Sequence, residues 1–127
     1  MDEIYAIILL NLNVEEFLSS FNVMSKPIQF KSESEVNDAI PFLDVLVICD
    51  TVNYFPIFKT YRKPTHSNSY ILAFSNHPYS VKIGTITNIF LWTYNICISI
   101  FIDKEIDYIY IFFSNLSYRK KVIDIAD

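Results

Sequence analysis

Gly84 is the only glycine among 127 residues, where average usage is about 7%. Glycine supplies positive φ angles and close backbone approach at little steric cost. Gly-based turns, phosphate-cradling loops and dinucleotide fingerprints are therefore all excluded. Whatever this chain binds, it does not bind through a glycine-rich loop. Hydrophobic residues make up 52% and aromatics 17%. That composition suits one compact domain with a modest core and argues against disorder.

The net charge of −4 conceals an asymmetry. Residues 1–60 carry a net −6, residues 61–100 a net +3, and the remainder −1. No Asp or Glu occurs from Thr51 to Ile102. A long acid-free stretch carries positive local potential even inside an acidic chain. Cys49 and Cys97 both sit in apolar runs and read as buried free thiols in a reducing compartment. The chain does not open on a secretory leader, so an intracellular site, nuclear or cytoplasmic, is expected.

Ile83 to Ile102 is a run of twenty residues without a charge, long enough for a single membrane span. It also holds three Thr, two Asn, a Ser and Gly84. Tyr79, Ile83, Ile86, Phe90, Thr93 or Tyr94, and Cys97 recur at helical spacing, which describes a helix packed by one face on a core. The packed helix is the main expectation and the single-pass membrane protein an alternative.

Along the chain, Ile4 to Leu12 reads as a buried strand or the start of a buried helix. Val14, Phe17, Leu18 and Phe21 then mark an amphipathic helix with Asn13 as its cap. Ile28 to Glu35 alternates as an exposed strand, and Ile40 to Cys49 reads as one stronger strand. A turn near Asp50 to Asn53 leads to an antiparallel partner over Phe55 to Lys63. Pro78 opens a helix running to about Asn95, Asp103 caps a second, and Arg119 to Ala126 forms a third. The expected class is α+β: an N-terminal strand and helix, antiparallel strands with a β-hairpin near 40–63, and a three-helix segment over about 78–126.

In the strand ending "YRKPTH", Lys59, Tyr61 and Lys63 project to one side and Phe58, Thr60 and Arg62 to the other. Two cations around an aromatic can hold phosphates while the ring stacks on a sugar or base. Thr65, Ser67, Asn68 and Ser69 add neutral hydrogen-bonding groups. A solvated edge strand whose lysines block aggregation fits the same pattern. His66, His77, Cys49 and Cys97 match no zinc spacing. No small-molecule substrate is expected.

Three ordered blocks carry a resemblance: "PFLDV" at Pro41 to Val45, "YRKPTH" at Tyr61 to His66, and His77-Pro78 with Lys82 opening a helix. This order resembles the region after the catalytic core of reverse transcriptases (RNA-directed DNA polymerases) of Penelope-like retroelements, a class of transposable element. "FIDKEIDYIYIFFSNLSYRKKVIDIA" resembles the small helix-turn-helix module that ends that region. The resemblance implies that residues 1–63 are a palm remnant with a primer-grip-like hairpin, and 64–127 a thumb-like, helix-turn-helix segment. It implies an RNA/DNA primer–template as partner, with Lys59, Arg62, Lys63, Thr65, His66 and Lys82 contacting phosphate and sugar.

The resemblance also places Asp2 and Glu3 at a vestigial metal position, where Mg2+ is implied for the intact family and no cofactor is expected in this chain. The departures set the functional expectation. Glu3 stands where the second Asp is expected, Trp92 replaces Arg, and Leu116 to Lys120 replaces Gly-Tyr-Pro-Lys. Two-metal phosphoryl transfer needs a full carboxylate set, and the upstream strand that completes it is not in this sequence. The expectation is a truncated reverse transcriptase fragment, with no intact catalytic residues and no polymerisation by this chain alone. A non-catalytic, nucleic-acid-binding helix-turn-helix module is the other alternative.

Overall fold

A computed structural model describes residues 3–8, 11–24, 27–67 and 69–127. Helix α1 spans Val14–Met24. The Asn13 side-chain Oδ1 accepts a 3.0 Å bond from the Glu15 amide, the cap its sequence calls for. Phe17, Phe21 and Phe30 form a small aromatic run, with centroids 4.9 and 6.0 Å apart. The Asn22 amide exchanges two hydrogen bonds with the Phe30 backbone. No residue of α1 is buried, so the helix is held by this local clamp. Residues 3–8 form neither helix nor strand and are mostly exposed, contrary to the buried element expected at Ile4 to Leu12. Residues 9 and 10 lie outside the described residues.

Three short strands form one antiparallel sheet in the order β1-β2-β3: β1 (Ala39–Phe42), β2 (Val45–Cys49) and β3 (Pro56–Thr60). The continuous strand expected over Ile40 to Cys49 is in fact two, reversed at Leu43 and Asp44. Residues 28–35 are not a strand. Val36 forms an isolated bridge to Ala39 across a two-residue turn at Asn37 and Asp38. Without glycine, the left-handed backbone positions fall to other residues: Asn37, Asp38, Leu43, Tyr54 and Ser117 all have φ between 53° and 69°. Asn and Asp tolerate this region through local hydrogen bonding, whereas a bulky residue such as Leu43 is strained there. At the β2–β3 turn the Asn53 amide and the backbone N–H groups of Val52 and Asn53 bond to the Asp50 carboxylate, and hold its pKa below the ordinary value.

The main core lies in the helices. Helices α2 (Tyr79–Ile96), α3 (Ser99–Asn115) and α4 (Lys120–Ala126) bury Ile86, Phe90, Ile109, Phe113, Tyr118, Ile123 and Ala126 against one another. Val47 is the one buried hydrophobic residue of the described strands. Full burial of a large apolar side chain is worth roughly 1.5–3 kcal/mol, so stability is concentrated in α2–α4. The uncharged run from Ile83 to Ile102 does not span: it folds back at Cys97 and Ile98, between two helices. No helix among the described residues is long and apolar enough to cross a membrane.

Two further expectations shift. Helix α3 starts at Ser99, one turn before Asp103. There Ile98 is extended, its N–H donates to Phe58 O of β3 at 3.2 Å, and its carbonyl accepts from Phe101 N at 3.0 Å. Of the two cysteines, Cys97 is buried and Cys49, at the end of β2, is exposed. Pro78 is the N-cap of α2, one position before the helix proper.

The α3–α4 connection is a Schellman motif. The Tyr118 N–H bonds to Phe113 O at 3.1 Å and the Ser117 N–H to Ser114 O at 3.0 Å. The accompanying apolar contact is also present, with the Phe113 and Tyr118 rings 5.6 Å apart and perpendicular. Ser117 occupies the left-handed position at φ 69°, where a side chain costs roughly 1–2 kcal/mol. Ser117→Gly should therefore stabilise the chain by about 1 kcal/mol, raising the melting temperature by roughly 4 °C. An unchanged or lower value in thermal denaturation would contradict this.

Beyond the turn, two phenols tie α4 to its neighbours. The Tyr94 hydroxyl donates to Asp127 Oδ1 at 2.6 Å, and the Tyr110 hydroxyl to Asp124 Oδ1 at 2.9 Å. The bond to Asp127 and desolvation push the Tyr94 phenol up to about 12 from an ordinary value near 10. Desolvation and the bond to Asp124 raise Tyr110 as well. Each phenol holds its proton more tightly when folded. This contribution is complete below about pH 10 and is lost as pH rises through the folded values. Unfolding by urea should show stability declining between pH 10 and 12, less steeply in Tyr94→Phe/Tyr110→Phe.

Candidate nucleic-acid interface

The end of β3 points its alternate side chains at the helices. Thr60 is buried, with its N and Oγ1 3.4 and 3.1 Å from Cys97 Sγ. Two residues on, Arg62 Nη1 donates to Glu105 Oε2 at 2.8 Å. The Arg62 guanidinium also lies over the Tyr108 ring, 4.0 Å from its centroid. Glu105 is only 6% exposed, so Arg62 supplies the charge that lets an α3 carboxylate be buried. Lys59 Nζ lies 5.3 Å from the Phe101 ring centroid. These contacts, with Ile98 N–H to Phe58 O, join the sheet to α3.

Other sequence-predicted residues are exposed. Lys63 is exposed, with Nζ 4.0 Å from Glu3 Oε1. Thr65 and His66 are exposed, and the His66 N–H donates to Lys63 O at 2.8 Å in the turn. The His66 ring lies 6.2 Å from Tyr70, which packs on Phe112 at 5.4 Å. Lys63, Thr65 and His66 therefore share one accessible turn, while Arg62 faces inward.

Lys82 is a structural clamp. Its ammonium donates to Ala73 O at 2.7 Å and Ser75 O at 2.6 Å. The Tyr118 hydroxyl donates to Ile71 O at 2.9 Å, and Ala73 N donates to Leu116 O at 3.1 Å. Together they fasten residues 71–75 to the helices. One Lys82 N–H remains for a ligand.

Asp2 lies outside the described residues. Glu3 Oε2 accepts from Leu43 N at 3.1 Å, and its other oxygen faces Lys63. A carboxylate whose neighbours are a hydrogen-bond donor and an ammonium does not suit Mg2+, and no group of three or more potential metal ligands exists among the described residues.

Arg119, Lys120 and Lys121 are not among the contact residues that the sequence motifs indicate. All three are exposed at the start of α4, while Asp124 and Asp127 at its other end are engaged by the tyrosines. Their signal was hidden because the five acids of residues 101–127 cancel them in any net charge. Position supplies what the sum concealed: three consecutive cations follow directly from the α3–α4 turn.

Residues 69–126 match the family model of the animal helix-turn-helix domain. The match takes in α2, α3 and α4, and the sheet and α1 lie outside it. No curated protein and no solved structure matches the chain. Residues 69–126 are thus similar to a helix-turn-helix domain, and within them α3, a turn over 116–119 and α4 follow in order.

Arg62→Ala should cost about 3 kcal/mol in urea denaturation, because it strands a buried carboxylate. Arg62→Ala/Glu105→Leu should recover most of that loss. Equal losses in the single and double variants would contradict this, because the stranded Glu105 carboxylate would then not be the source of the cost.

Proposed function

We propose that this chain is a non-catalytic, nucleic-acid-binding helix-turn-helix module. The observation that carries the reading is the helix-turn-helix match over residues 69–126, in which the short final helix begins with three exposed cations. In helix-turn-helix proteins, residues at the start of the second helix approach the major groove while neighbouring groups grip the backbone. Arg119, Lys120 and Lys121 occupy that position here. Lys63, Thr65 and His66 form a second accessible patch able to contact phosphate or sugar. A net charge of −4 means that attraction comes from these local clusters and not from the chain as a whole.

A finer reading rests on the order of the three blocks, Pro41 to Val45, Tyr61 to His66, and His77 to Lys82. It makes the chain a fragment of a retroelement reverse transcriptase, its hairpin end gripping a primer–template backbone. A sheet ending in the Tyr61 to His66 turn, followed by the helical segment, is compatible with that origin. In this reading Lys63, Thr65 and His66 make the contacts. Lys59, Arg62 and Lys82 chiefly hold the shape that presents them. Polymerisation is not part of the proposal.

The test is a salt titration of binding to a DNA duplex and to an RNA–DNA hybrid. Each lost phosphate contact should flatten the slope of log K against log salt by about one. Arg119→Ala/Lys120→Ala/Lys121→Ala should therefore flatten it by about three. No binding, or an unchanged slope, would defeat the module reading. Tighter binding to the hybrid, reduced by Lys63→Ala/His66→Ala, would favour the reverse transcriptase origin, and equal affinity for the two duplexes would count against it.

A further inference from the structure

Between the segment that precedes α2 and the α3–α4 turn lies an open cleft of about 310 Å³. Phe74 and Tyr79 line it from one side, Ser117, Arg119 and Val122 from the other, and Lys82 also borders it. Its volume is at the lower end of small-molecule sites. Phe74 is 73% and Tyr79 59% exposed, and neither ring stacks on another among the described residues. Two large aromatics left open to water at one cleft present unused stacking faces.

The charges point the same way. No acidic residue lines the cleft. Neither Lys82 nor Arg119 pairs with a carboxylate among the described residues. The Lys82 ammonium is fixed by two neutral carbonyls, so its position is set while its charge stays uncompensated. Fixed positive charge beside exposed ring faces complements a flat ring joined to an anion. That is the chemistry of a nucleotide.

We infer that this cleft takes one unstacked nucleotide of a bound strand, its base against Phe74 and Tyr79 and its phosphate against Lys82 and Arg119. A base paired inside a duplex cannot offer its face to a side chain, so the ligand is a strand end or a looped-out residue. The inference rests on the nucleic-acid reading above and extends it. The duplex would meet the start of α4, and an adjoining single strand would enter the cleft beside it.

The full 127-residue chain should be titrated by fluorescence anisotropy with a blunt DNA duplex and with the same duplex carrying a single-stranded overhang. The overhang should bind about tenfold more tightly, the scale of one stacked base. Phe74→Ala/Tyr79→Ala should abolish that preference while affinity for the blunt duplex is unchanged, with circular dichroism confirming the fold. Adenosine 5′-monophosphate that competes away the preference would extend the site to free nucleotides, and failure to compete would confine it to strands. Equal affinity for both duplexes, or a preference kept by the double variant, overturns the inference. If the blunt duplex is not bound, the duplex reading falls and a single-stranded oligonucleotide decides the cleft separately. Binding lost in the double variant supports it, and binding absent or unaffected refutes it.

Discussion

The chain reversal between α3 and α4 is the constraint on which the helical half depends. Two backbone hydrogen bonds from Ser117 and Tyr118 close it, and the Tyr118 ring then packs on Phe113 within the core. Its hydroxyl reaches across to Ile71 O and fixes the segment that enters α2. Directly afterwards the chain can only emerge at the surface, which places Arg119, Lys120 and Lys121 in solvent. Burial pushes the Tyr118 phenol up. The same few residues thus anchor the core and aim the cations outward.

Several cations of this chain serve architecture before any ligand. Arg62 permits Glu105 to be buried, and Lys82 holds two carbonyls of a connecting loop. A buried carboxylate without its partner would cost several kcal/mol, whereas an exposed phosphate contact contributes far less. At Arg62 the internal partner therefore wins. Lys82 differs, because its partners are neutral and its charge remains available to an anion. Exposure and pairing, more than residue type, separate cations that can bind from those that hold the fold.

Much of the helical half was legible in the sequence. Apolar spacing from Ile83 to Phe90 and the position of Pro78 locate α2 to within a residue, and the order of strands before helices gives the α+β class. The sheet was harder to read. Leu43 and Asp44 carry no glycine signal, so a tight reversal hides inside what looks like one alternating strand. Ile28 to Glu35 alternates well but does not form a strand, because alternation alone does not supply the cross-strand hydrogen bonds that a ladder needs. Arg62 lies 43 residues from Glu105, a separation across which local pattern says nothing. The basic start of α4 disappeared into a regional charge sum, although only spatial position decides what a ligand meets.

The most direct test of the central claim is an NMR titration of the isotopically labelled chain with a short DNA duplex. If the start of α4 is the docking point, amide shifts will concentrate over residues 116–122 and remain small across β1, β2 and the beginning of β3. Shifts centred on the sheet, or none at residues 116–122, would contradict the account.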